Sequence, residues 1–269
     1  MEDCGKPSAT HPNMMKPVTQ ATDEQIAKAL DLLKDADSVE LKVTVQDSDH
    51  RSSITALEMD VLDAEFRQVV FFDTRDLKLN RSGMVVRARR MRRGGDSVVK
   101  LRPVVPADLP DQVRHSASFN VEVDAMPGAI ICSGSLQGKT NNSDVKLVLL
   151  AKRPIRKLFS EEQRRLYKTH APKGLTLDSL TPFGPINVAK LKFVPQRFRR
   201  SLVAEVWFYP DASRILELST KCAPNEAFQV LAEMRAFLAR RSISLIGTQQ
   251  TKTRKALEYF SHLDKKKAV

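Results

Sequence analysis

The spacing of apolar and polar positions changes period along the chain. Thr22 lies three residues before Gln25 and opens the run Ile26, Ala27, Ala29, Leu30, Leu32 and Leu33. That capping signal and spacing predict a helix of about three turns. From Val39 the period becomes two: Val39, Leu41, Val43 and Val45 point one way, and Glu40, Lys42 and Thr44 the other. Similar alternation predicts strands over about residues 38–46, 66–73, 84–91, 97–102, 118–124, 186–194, 202–209 and 213–220. Gly94-Gly95-Asp96 joins the third and fourth as a hairpin, and Pro210-Asp211 turns the seventh into the eighth. A short turn or helix, Asp76 to Asn80, is closed by Gly83, and Pro103, Pro106 and Pro110 mark an extended loop.

Residues 1–20, rich in Pro, Ser, Thr and Met without periodicity, read as a flexible tail. About 128–183 read as a helical insertion, its clearest helix capped by Ser160 ahead of Glu161-Glu162-Gln163. Helices return over about 224–262. The expected fold is α+β within 21–265: a closed eight-stranded antiparallel β-barrel with flanking helices and a helical insertion. Closure removes exposed sheet edges.

Charge sharpens this picture. One face of the strands carries Glu40 and Lys42, Arg87 and Arg89, Lys100 and Arg102, Glu122 and Asp124, Lys190 and Lys192, Glu205, and Glu217. The opposite faces carry Leu41, Val43, Val86, Ala88, Val99, Leu101, Val121, Val123, Leu191, Phe193, Leu216 and Leu218. A sheet with one wet face alternates in the same way. Here, however, the charges come as like-sign pairs, and the third and fourth strands stack four cations together. Like charges facing across a ladder are destabilising. An anion between them relieves that cost, and the Arg fork and Lys ammonium both suit phosphate. The carboxylates suit a hard divalent cation or serve as salt-bridge partners.

Composition agrees. The 269 residues hold 44 Lys and Arg against 32 Asp and Glu, a formal net charge of +12, which implies an anionic partner. No apolar run is long enough to span a bilayer and no secretory signal is seen, so no membrane partner is expected. Cys4, Cys132 and Cys222 form neither a disulfide framework nor a CxxC pair, so a cytoplasmic location is expected. The basic runs Arg87 to Arg93, Arg197 to Arg200 and Lys265 to Lys267 offer a nucleic-acid reading. The scarcity of aromatic residues on the strands for base stacking argues against it. Nothing in the chain indicates an oligomeric state.

The stretch Phe71-Phe72-Asp73-Thr74-Arg75-Asp76-Leu77-Lys78-Leu79-Asn80, followed by Gly83, Val86-Arg87-Ala88-Arg89 and Val99-Lys100-Leu101-Arg102, strongly resembles the CYTH (triphosphate tunnel) family. Val39-Glu40-Leu41-Lys42 looks like the end of that family's E-x-E-x-K first-strand motif, and Ile215-Leu216-Glu217-Leu218-Ser219 like its late acidic strand. The resemblance covers about residues 36–220 and is strongest over 70–102. It implies an eight-stranded tunnel that binds triphosphates with Mg²⁺ or Mn²⁺. In that setting Lys42, Arg87, Arg89, Lys100 and Arg102 bind phosphate, as do Lys190 and Lys192 on the charged-face argument. Glu40, Glu122, Asp124 and Glu217 are the implied metal shell, and Glu40, Lys42 and Glu122 the catalytic candidates.

The expected function is metal-dependent hydrolysis of a terminal phosphate of an organic or inorganic triphosphate, with a triphosphate-bearing small molecule or inorganic polyphosphate as the expected partner. Cyclisation of ATP is one alternative. Polyphosphate binding without turnover is another, motivated by Ser38, which stands where the first Glu of E-x-E-x-K would fall. No His stands at a strand position suited to a base role; His115 is expected in a loop.

Overall fold

The structure, a computed structural model, describes residues 22–114, 116–244 and 251–266. The expected tail, Cys4, His115 and Lys267 lie outside the described residues. Among the described residues nine strands form one sheet: β1 (Ser38–Val45), β2 (Glu65–Asp73), β3 (Met84–Met91), β4 (Gly95–Leu101), β5 (Phe119–Met126), β6 (Ala129–Thr140), β7 (Thr181–Phe193), β8 (Leu202–Phe208) and β9 (Arg214–Cys222). Their order is β1-β5-β6-β4-β3-β2-β7-β8-β9, and β9 pairs with β1 to close the barrel.

This corrects the expected eight-stranded antiparallel barrel. A ring with an odd number of strands cannot alternate direction throughout. The parallel pair is β1 with β5, in register from Ser38 opposite Glu122 to Leu41 opposite Ala125. The ninth strand is β6, which lies inside the segment expected to be helical. Its sequence, AIICSGSLQGKT, is diluted by Gly and Ser, residues with little intrinsic preference for strands. Two of those residues are needed for close packing. A Cβ on Gly134 would lie 2.4 Å from Phe119 Cζ, and one on Gly138 would lie 2.7 Å from Gln163 Oε1.

Among the described residues there are eight α-helices, with short 3-10 turns between elements: α1 (Asp23–Lys34), α2 (His50–Ala56), α3 (Lys78–Arg81), α4 (Asp111–Arg114), α5 (Asn142–Leu149), α6 (Glu161–His170), α7 (Ala227–Arg240) and α8 (Lys252–Lys266). The capping box before α6 forms as its sequence indicates, between Ser160 and Gln163. The same Gln163 donates from Nε2 to the carbonyls of Ser97 at 2.9 Å and Leu136 at 3.1 Å, so it also ties α6 to β4 and β6.

The barrel is apolar outside and charged inside. The aliphatic residues of the alternating strands, among them Leu41, Val43, Val86, Val99, Val123 and Leu218, point outward into one buried core. Val145 and Val148 of α5, Leu166 of α6 and Val230, Met234 and Phe237 of α7 pack on them. Each such aliphatic side chain contributes about 1.5–3 kcal/mol by leaving water. That covering frees the lumen from having to be hydrophobic. A second apolar cluster fills one end of the lumen: Phe71, Phe183, Ile186, Trp207 and Ile215 meet Ala256 and Leu257 of α8.

Candidate functional site: the charged lumen

Alternation along several strands brings the charged faces together. A cavity of about 1440 Å³ is lined by Glu40 and Lys42 of β1, Arg67 of β2, Arg87 and Arg89 of β3, Lys100 of β4 and Arg102 just beyond it, Glu122 of β5, Lys190 of β7, Glu205 of β8, Lys221 of β9 and Lys252 of α8. Asp124 lies buried in the wall beside it, with no exposed area. Lys192 points to the same side of β7 one step further along, but it is exposed and does not line the cavity.

Asp124 is the centre of one charge cluster. Lys42 Nζ lies 2.5 Å from Asp124 Oδ1 and 2.9 Å from Glu40 Oε2. Arg102 Nη1 lies 2.8 Å from Asp124 Oδ2, and Lys100 Nζ is 3.8 Å away. Burial opposes ionisation of Asp124, yet Lys42, Lys100 and Arg102 override it and hold its carboxyl down at about 2. Glu122 is clamped by Lys221. Glu40, Glu122 and Asp124 each offer an oxygen within 4.8 Å of the others. Asp124 Oδ2 is buried and accepts no hydrogen bond of good geometry, although cations stand near it. Hard oxygen donors at that spacing, one of them without a hydrogen bond, fit a hard divalent cation. The fourth expected ligand, Glu217, lies outside this group and is held 2.6 Å from Lys252 Nζ.

The cations divide into two sets. Burial lowers the pKa of Lys42, Lys221 and Lys252, but adjoining carboxylates more than reverse this, so all three are held in the charged state. Arg87, Lys100 and Lys190 are under-neutralised. Burial, then repulsion from Arg89, pushes Arg87 down to about 10, and its Nε has no hydrogen-bond partner. Burial also lowers Lys100 and Lys190, whose carboxylate neighbours stand 3.8 Å off. Arg89 is fixed by Asp96, which also accepts from Gln137 at 3.0 Å. The lumen therefore carries positive charge that its own carboxylates leave uncompensated.

Asp73 of the Phe-Asp-Thr segment is structural. Its carboxylate is buried and accepts from the amides of Thr74 at 2.7 Å, Leu79 at 2.9 Å and Asn80 at 3.0 Å. It shapes the β2–β3 connection that sets Arg87 in register. Sequence reasoning missed Arg67, Asp96, Lys221 and Lys252. Lys221 continues the two-residue period from Glu217 through Ser219 and was there to be found. Lys252 sits on a helix, where strand alternation gives no signal.

Such a barrel, apolar outside and lined with charge, has the triphosphate tunnel, or CYTH-type, fold. No family model matches the chain, and no curated protein matches it in sequence. Among solved structures, the chain is similar to an adenylate cyclase candidate from Bacillus halodurans, with 16% identity and a TM-score of 0.55 over 81% of this chain and 97% of the other. It is also similar to an adenylyl cyclase candidate from Hippeastrum whose dominant activity is that of a triphosphatase, with 15% identity and a TM-score of 0.58 over 82% of this chain and 95% of the other.

Proposed function

We propose that the lumen binds a triphosphate or inorganic polyphosphate and hydrolyses its terminal phosphoanhydride. The observation that carries this reading is the under-neutralised set Arg87, Lys100 and Lys190, which shares one cavity with Glu40 and Glu122 and adjoins the buried Asp124. A chain of phosphates supplies the missing negative charge, and its oxygens match the Arg fork and the Lys point charges.

In this reading Arg87, Lys100 and Lys190 take up phosphate oxygens. Arg89 and Arg102, already oriented by Asp96 and Asp124, complete the anion cradle. Preorientation matters because charge on the transferring phosphoryl group is stabilised by donors fixed before reaction. Glu40, Glu122 and Asp124 would hold the divalent cation, with Lys42 keeping Glu40 and Asp124 ionised by its own charge. Mg²⁺ or Mn²⁺ bound there would polarise the phosphoryl oxygens. Water attacks the terminal phosphorus, the bond to the bridging oxygen breaks, Glu122 accepts the proton of the water, and orthophosphate leaves the shortened chain.

A second reading, binding without turnover, is favoured by one observation. Ser38 sits on β1 opposite Glu122, where a carboxylate would enlarge the metal shell. The test is incubation with tripolyphosphate, ATP and thiamine triphosphate, with and without Mg²⁺ or Mn²⁺. Orthophosphate release that disappears in Arg87→Ala is the expected result. Cyclic AMP from ATP would replace hydrolysis by cyclisation. Saturable binding with no product under either metal would leave the second reading.

A further inference from the structure

Glu205 of β8 and Glu217 of β9 stand directly opposite each other in the antiparallel ladder. Two like charges so placed repel, and both point into a space from which water is largely excluded. Such a pair needs a cation between its members. The structure supplies one from outside the sheet: Lys252 Nζ of α8 lies 2.5 Å from Glu205 Oε2 and 2.6 Å from Glu217 Oε1. Trp207 supports the arrangement, donating its indole N–H to Glu205 at 3.2 Å while its ring lies 5.4 Å from the ammonium.

We infer that the Lys252 ammonium is a resident counter-cation that occupies the place a divalent ion would take between Glu205 and Glu217. The inference rests on the proposed metal-dependent reading and refines it. Among the described residues, Lys42 likewise bridges Glu40 and Asp124, but that group keeps a third carboxylate, Glu122, and an Asp124 Oδ2 that accepts no hydrogen bond. Lys252, by contrast, alone bridges both members of the Glu205 and Glu217 pair. Divalent metal is then confined to Glu40, Glu122 and Asp124, one ion per chain. The same contact pins α8 across the end of the lumen, together with buried Ala256 and Leu257, the Lys252 carbonyl that accepts from the Tyr209 hydroxyl at 3.3 Å, and the Ser261 hydroxyl that donates to the Arg75 carbonyl at 2.8 Å.

The experiment counts Mn²⁺ ions bound per chain, by electron paramagnetic resonance of free Mn²⁺ and by calorimetry, in the absence of polyphosphate, which would chelate the ion itself. Wild type and Lys252→Arg are expected to bind one ion. Lys252→Met, and Lys252→Gln as a second uncharged variant, are expected to bind two. Lys252→Met with Glu217→Gln is expected to return to one. Two ions on wild type would overturn the inference without any variant having to fold. So would a folded Lys252→Met or Lys252→Gln protein that gains no ion. No ion on wild type but one on the uncharged variants would sink the proposed Glu40, Glu122 and Asp124 metal group and uphold the role of Lys252.

Discussion

Arg87 and Lys42 are both basic, both face the lumen, and should respond to substitution in opposite ways. Lys42 holds together Asp124 and Glu40, at 2.5 Å and 2.9 Å. Lys42→Met leaves two carboxylates crowded with less compensation, and breaking a buried pair in this way costs about 3–5 kcal/mol. Arg87 makes no ion pair with a described residue, and its Nε lacks a partner. Its charge strains the free protein, so Arg87→Gln is expected to melt at or above the wild-type temperature. The same substitution removes charge-assisted bonds to the guest, each worth about 1.5–3 kcal/mol, a loss of roughly 10- to 100-fold in tripolyphosphate affinity. Melting curves and titration calorimetry on the two variants check the contrast. A strongly destabilised Arg87→Gln with unchanged affinity would show that the guanidinium serves the fold.

At the scale of elements, β6 shows how packing overrides local preference. Gly134 lies under the Phe119 ring, and a Cβ there would meet Cζ at 2.4 Å and Cε1 at 3.0 Å. Overpacking a close contact costs about 1–3 kcal/mol. Gly134→Val is therefore expected to lower the melting temperature by several degrees, and adding Phe119→Ala should recover part of the loss. This contact also explains what could be read in advance. Strands whose outward positions are mostly apolar, such as β1 with Val39, Leu41, Val43 and Val45, are legible because their period of two separates an apolar covering from charge. β6 trades side chains for close approach, so its alternation is erased and the segment reads as an insertion. The parallel pairing of β1 with β5 is a property of ring closure, which no single segment encodes. Most of the lumen was legible because its charges recur at alternate positions. Lys252 was not, because a helix delivers it to a strand-built site. Asp73 was visible as part of a motif, but its three amide contacts belong to the fold.

At the scale of the molecule, the net charge of +12 has a local counterpart in the under-neutralised cations of the lumen, and this links guest binding to pH. Burial lowers the pKa of Lys100 and Lys190 below the ordinary 10.5 and that of Arg87 to about 10. A basic group whose folded pKa is depressed strains the fold while it is charged. The strain is fully present at neutral pH and is relieved as pH rises through the depressed values towards those of the unfolded chain. A polyphosphate guest relieves the same strain at neutral pH by favouring the charged forms. At about 100 times its dissociation constant it should add ~2.7 kcal/mol of stability, or about 5–10 °C in melting temperature. Because the guest raises these pKa values, binding is expected to take up protons above the last ionisation of the polyphosphate itself, and affinity to fall as pH approaches 10. Calorimetry in two buffers of different ionisation enthalpy measures that uptake directly. Lys100→Met should reduce it. Proton release on binding, or a stabilisation by tripolyphosphate that grows as pH rises, would show that the guest does not sit against these cations.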